Sequence, residues 1–264
     1  MNLATVTANL DTLFHPEYQE HYDNSGFLLG NPSCEISGAI VALDVTEQVV
    51  DEAINKKANL IVTHHPFIFS GLKRITPFSL AGRLTLKLIE NNIAVYAAHT
   101  NLDNLSSGVN AMLAEQLELK DCSILRPLEG KTNVGAGMVG MLDEAVDTGV
   151  FLQQVKSKLG LPATKVNSSA LKKHPSVQRV AICGGSGSFL IDDAVNAGAD
   201  IFLTGDLKYH DYQQADEALL LADIGHYESE RFSRLLLAKT LEKLSQGLFP
   251  VQIATTTDRW EEWL

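Results

Sequence analysis

A fifteen-residue segment occurs twice in this chain. VVDEAINKKANLIVT (49–63) aligns without a gap on LIDDAVNAGADIFLT (190–204), with identity at Asp51/Asp192, Ala53/Ala194, Asn55/Asn196, Ala58/Ala199 and Thr63/Thr204. Each copy opens with apolar residues at helical spacing and closes on a short β-branched run ending in threonine, the pattern of a helix feeding a strand. A repeated unit of this kind predicts two related α/β halves.

The residues around each copy extend the rhythm. Ile40 to Leu43 reads as a buried strand, and Asp44 with Glu47 has the spacing of a capping box for a helix carrying Val45, Val49, Ala53 and Ile54 inward. Leu60 to Val62 follows as a strand, Leu80, Leu84 and Leu88 as a helical stripe, Ile93 to Ala97 as a strand, and Val109, Met112, Leu113 and Leu117 as a further stripe. Leu3, Val6, Leu10, Leu13 and Phe14 mark an amphipathic first helix. A second cycle runs through Val180 to Cys183, Phe189 to Val195, Ile201 to Leu203 and Leu219 to Ile224. Between the cycles, Pro127, Gly130 and the glycines at 135, 137 and 140 read as a loop-rich middle. The fold class is therefore α/β, with mostly parallel sheets in two domains, 1–124 and 125–264. A length of 264 residues suits two domains of ordinary size.

Composition excludes several functions. Hydrophobic residues at 45% and charged residues at 20% predict a packed globular core. A net charge of −11 disfavours non-specific nucleic-acid binding and an anionic membrane surface. No window approaches the roughly 20 apolar residues of a membrane span, and the N-terminal segment carries no export signal. Cys34, Cys122 and Cys183 are scattered and odd in number, which fits a reducing cytoplasm better than a disulfide framework.

The candidate chemistry lies at strand ends. Thr63-His64-His65 follows one predicted strand, and Ala98-His99-Thr100 ends another, in the place that Gly225-His226-Tyr227 takes in the second cycle. His99 with Asp103 thus corresponds to His226 with Glu230. In open α/β sheets ligands collect at the carboxyl ends of strands. Each group alone has an ordinary explanation: solvated loop histidines, an Asx turn at Asp103, a local ion pair between His226 and Glu230. Their coincidence at one sheet edge predicts a convergent metal site. Imidazole with carboxylate suits zinc, iron or manganese, and carboxylates can bridge two cations about 3.5 to 4 Å apart. Asp206, Lys208 and His210 in TGDLKYHD, with Lys73 and Arg74, form a polar rim suited to an anion. CGGSG (183–187) has the look of a phosphate-binding turn, although no complete phosphate-loop motif is present.

DNSGFLLG (23–30), THHPFIF (63–69), LKRIT (72–76), HTNLD (99–103), AICGGSGS (181–188), TGDLKYHD (204–211) and GHYESER (225–231) resemble, in order, the motifs of the Nif-three-like family, whose members are also called GTP cyclohydrolase 1 type 2 homologs. The resemblance covers nearly the whole chain and matches the short form, without the inserted middle domain. It implies two α/β domains with a dinuclear metal centre in the cleft between them, usually in a ring-shaped homohexamer. Carried over by motif, the ligands of the two divalent ions are His64, His65, Asp103, His226 and Glu230. The implied activity is hydrolysis through a metal-bridging water, opening the guanine imidazole ring of GTP with loss of formate. The expected substrate is a nucleotide or another small phosphorylated anion. His99 is the candidate proton donor and His210 its reserve. The alternative is a metal-carrying regulatory or protein-interaction module without turnover. One departure stands out: the central run reads GAGM, with Met138 where many relatives carry arginine.

Overall fold

The computed structural model describes residues 1–256 and 258–261. In chain order it runs α1 (Leu3–Phe14), β1 (Gly26–Leu29), β2 (Ala39–Ala42), α2 (Glu47–Asn55), β3 (Leu60–Thr63), α3 (Leu80–Glu90), β4 (Ala94–Ala97) and α4 (Thr100–Asp103). Then come α5 (Val109–Gln116), β5 (Lys120–Pro127), β6 (Gly135–Asp147), α6 (Thr148–Leu159), β7 (Lys165–Val166), α7 (Ser168–Lys173), β8 (Ser176–Ser186), α8 (Ile191–Asn196) and β9 (Ile201–Gly205). The last elements are α9 (Tyr209–Ala215), β10 (Leu220–Asp223), α10 (His226–Glu230), α11 (Ser233–Ser245) and β11 (Val251–Ile253). No helix among the described residues is long and apolar enough to cross a membrane.

The chain divides into two compact units, one comprising Met1–Leu102 with the stretch beginning at Ser233, the other Asp103–Phe232. They differ from the contiguous halves 1–124 and 125–264. The physical reason is strand pairing: β11 runs parallel beside β2, with Val251 opposite Ala39. The C-terminal stretch thereby completes the first sheet, and a boundary at 124 would cut through β5.

The first unit holds a five-stranded sheet in the order β1-β4-β3-β2-β11, parallel except for β1. Its central strands are buried along their whole length, as the continuous apolar runs of a sheet covered on both faces require. Val49, Val50 and Ala53 of α2 and Leu84 and Leu88 of α3 pack with Ile40, Ile61 and Val95 in one core. The capping differs from the sequence expectation. Thr46 is the N-cap of α2 and accepts from the Val49 N–H at 3.1 Å, which leaves Asp44 for another task.

The second unit holds a six-stranded sheet in the order β5-β6-β8-β9-β10-β7, with β8, β9 and β10 parallel and the other three strands antiparallel to their neighbours. The repeat is exact in register. Ala39 faces Leu60 across β2 and β3, and Val180 faces Ile201 across β8 and β9, at the positions the aligned segments require. One sequence correspondence shifts by a residue. Leu60 pairs with Ala94 and Ile201 with Leu220, so His99 matches Gly225, and His226 matches Thr100. His99 accordingly lies in the turn before α4, whereas His226 opens α10.

The loop-rich middle is in fact the hairpin of β5 and β6. Its glycines disguise it, because glycine is a poor strand former. At Gly135 the backbones come so close that a Cβ would lie 2.1 Å from the Arg126 carbonyl oxygen. Met138 packs with Leu113, Phe151 and Ile182 in the core of this unit. Its side chain is therefore a packing element of that core.

Candidate metal centre

His64 and His65 follow β3, and His99 follows the neighbouring β4. The backbone fixes these ends: the His65 N–H donates to the Leu43 carbonyl at 3.0 Å, and the Ala98 N–H to the Thr63 carbonyl at 2.9 Å. One donor atom from each of the three histidines lies within 4.8 Å of the others. The rings stand at centroid distances of 4.9 Å for His64 and His65, 5.2 Å for His64 and His99, and 5.4 Å for His65 and His99.

Each ring is held by its Nδ1. In His64 it lies 2.7 Å from the Ala98 carbonyl oxygen, in His65 3.0 Å from Asp44 Oδ2, and in His99 2.7 Å from Asp23 Oδ1. A carbonyl or ionised carboxylate only accepts, so Nδ1 carries the proton in each ring and Nε2 presents its lone pair. Asp23 is a hub with a fully buried carboxylate. It also accepts from the Ser25 hydroxyl at 2.8 Å, the Thr100 N–H at 3.0 Å and the Thr100 hydroxyl at 2.5 Å. Burial alone would raise its pKa, but the His99, Thr100 and Ser25 contacts outweigh burial and hold it well below the ordinary carboxylate range. Asp23 is ionised at neutral pH and fixes the His99 tautomer.

In the second unit, His226 and Glu230 occupy successive turns of α10, with Nε2 3.0 Å from Glu230 Oε2. The other nitrogen, Nδ1, lies 2.7 Å from Asp206 Oδ2. Glu230 is 3% exposed, and donor oxygens of Asp103 and Glu230 lie within 4.8 Å of each other. Burial would lower the His226 pKa, but Glu230 and Asp206 outweigh it and raise it to about 11. The imidazole therefore holds a positive charge at neutral pH between two carboxylates. Two carboxylates converging on one imidazole, with the Asp103 carboxylate near Glu230, form a donor set that fits a divalent ion in chemistry and in charge. The same negative field acts on Cys183: burial, Asp103 and Glu230 push its thiol well above the ordinary range, leaving it inert.

The turn CGGSG serves this cluster. The Gly184 N–H donates to Asn110 Oδ1 at 2.9 Å and the Gly185 N–H to Ser229 Oγ at 3.0 Å, so neither is turned to a phosphate. Gly185 has φ +64°, and a Cβ there would lie 2.2 Å from Glu230 Oε1. The glycine is the space in which the Glu230 carboxylate sits.

The structure thus gathers His64, His65 and His99 in one unit, and Asp103, His226 and Glu230 in the other. His210 stands apart: it is exposed on α9, its Nδ1 3.3 Å from Gln213 Oε1, and it belongs to no donor cluster among the described residues. Lys208 is the N-cap of α9, its N–H donating to Asp211 Oδ2 at 2.6 Å. Sequence reasoning missed Asp23 and Asp44 as orienting groups and took Asp206 for part of the rim. The one available signal was their position, since Asp44 closes β2 at the sheet edge that carries the histidines.

Curated relatives match nearly the whole chain. A protein from Clostridium perfringens called GTP cyclohydrolase 1 type 2 homolog is 33% identical over 251 residues, covering 94% of this chain and 93% of that one. One of the same name from Campylobacter jejuni is 34% identical over 260 residues, covering 98% of each. A Staphylococcus aureus protein of known crystal structure superposes with a TM-score of 0.90 at 30% identity, covering 100% of this chain and 99% of that one. The family model described as Duf34/NIF3 (NGG1p interacting factor 3) matches residues 1–259, and the chain belongs to that family.

Proposed function

We propose that this protein is a dinuclear metal-dependent hydrolase of a nucleotide or related phosphorylated small molecule, with His64, His65, Asp103, His226 and Glu230 as ligands of two divalent ions. The observation that carries this is the common orientation of its histidines: in His64, His65, His99 and His226 alike, Nδ1 is tied to an oxygen acceptor. Dedicated acceptors behind each ring are what metal ligation requires, because they fix the tautomer and raise the basicity of the outer nitrogen. The name GTP cyclohydrolase 1 type 2 homolog, carried by the relatives, supports the substrate class.

The chemistry such ions supply is Lewis-acid polarisation of the substrate and a supply of nucleophilic water at neutral pH. The chain's own residues do the rest. Asp44 and Asp206 orient His65 and His226. Asp23 holds His99 so that its Nε2 lone pair can take a proton from the attacking water, and the imidazolium so formed is the proposed proton donor to the leaving group. His210 is the reserve for that role. Zinc, iron and manganese all suit a mixed nitrogen and oxygen set.

The test is turnover. Release of phosphate or formate from GTP by the metal-loaded protein is expected to stop on chelation and return when manganese, iron or zinc is added back. GTP recovered unchanged from a stoichiometric, metal-dependent complex would favour the metal-carrying binding module and overturn the hydrolase. We also propose assembly as a homohexamer, on the strength of the family. Light scattering should then give a mass near six times 28.7 kDa. A monomer mass at every accessible concentration would remove the hexamer.

A further inference from the structure

The histidine trio of the first unit continues outward as a row of aromatic rings. Phe69 stands edge-on to His99, with centroids 6.1 Å apart and an interplanar angle of 74°. Tyr22 lies 6.3 Å from Phe69 at 37°, and His21 lies 5.4 Å from Tyr22. These separations fall within the range over which aromatic pairs attract. Phe69 is 48% exposed and Tyr22 53%. The two loops that carry them are tied together, since Asn24 Nδ2 donates to the Ile68 carbonyl at 2.6 Å. Asn24 follows Asp23, the residue that holds His99. The half-exposed rings are therefore fixed to the same frame as the donor histidines.

Charge on the same loop points to the occupant. Lys73 and Arg74 are both exposed, and neither has an ion-pair partner among the described residues. Ring surface that begins against a donor histidine, with two exposed cations four and five residues further along the same loop, matches a ligand with a planar ring and an anionic group. A second copy of the chain would bury the rings equally well, but would leave the two exposed cations of this loop without a use.

We propose that Phe69 and Tyr22 form a stacking platform for the planar base of a nucleotide, with Lys73 and Arg74 receiving its phosphate. The proposal rests on the substrate class given under the proposed function and names the residues that select it. The platform accepts any base, because every base offers a π face. It discriminates against a sugar phosphate that lacks the base.

The experiment compares guanosine 5′-monophosphate with ribose 5-phosphate, each titrated into the metal-loaded protein. Wild type should prefer the nucleotide, and Phe69→Ala should weaken nucleotide binding about tenfold or more while leaving ribose 5-phosphate unchanged. Phe69→Tyr, which keeps the ring, should retain the preference, and Lys73→Ala with Arg74→Ala should weaken both probes. Metal content should match wild type in every variant, since none of these residues is a proposed ligand. Equal binding of the two probes by wild type, binding of neither, or an equal loss of both in Phe69→Ala would overturn the platform. Failure of the ligand assignment shows separately, as unchanged metal content in His65→Ala measured without nucleotide.

Discussion

Gly185→Ala should lower affinity for divalent metal by about tenfold or more while the protein stays folded. Two effects act at this position. The residue has φ +64°, which an alanine adopts only under strain, and the new Cβ would lie 2.2 Å from Glu230 Oε1. Glu230 is held within a helix and is 3% exposed, so its carboxylate must turn away from the His226 nitrogen it now contacts. Gly198→Ala separates strain from crowding. Its φ is +66° and nothing lies within 4 Å of the added carbon, so it carries the same backbone penalty in the same unit without touching a proposed ligand. Metal titration by calorimetry should show a loss for Gly185→Ala and wild-type affinity for Gly198→Ala. Equal affinities in the two variants would show that Glu230 is not a ligand, or that its carboxylate can sit elsewhere.

His99→Asn should keep both ions and lose turnover by ~10²-fold or more. The Asp23 carboxylate, ionised and fully buried, holds Nδ1 protonated. An asparagine amide can still donate to Asp23, which preserves the hub formed with Ser25 and Thr100, but it has no nitrogen that exchanges a proton near neutrality. Parallel measurement of metal content and GTP turnover decides the matter. Metal lost in proportion to activity would make His99 a further ligand, as its distance from His64 and His65 would allow, and full activity would leave it with neither role.

Much of this was legible because the duplication exposes the frame. The aligned segments fix α2 with β3 and α8 with β9, and the histidines become conspicuous once they are seen to end adjacent parallel strands. What stayed hidden depends on long-range pairing. Asp23 meets His99 from 76 residues away, with no local spacing to betray it. Asp44 reads as a helix cap because it lies at the right distance from Glu47, yet Thr46 takes the cap and Asp44 turns to His65. Gly185 reads as part of a phosphate loop because the same residue type answers both needs, an open backbone and an absent side chain. The hairpin of β5 and β6 escaped because its glycines and Pro127 argue locally for loop, and its pairing with β8, as between Met138 and Ile182, is long-range. The three residues of β11 are too few to announce a strand that returns to the first unit.

The central claim is that His64, His65, Asp103, His226 and Glu230 hold two divalent ions. Its most direct measurement is metal content per chain by mass spectrometry, after loading with zinc, manganese or iron and removal of excess ion. Wild type should carry two ions per chain, and His65→Ala and Glu230→Ala should each lose at least one. Retention of the wild-type stoichiometry by both variants would contradict the assignment.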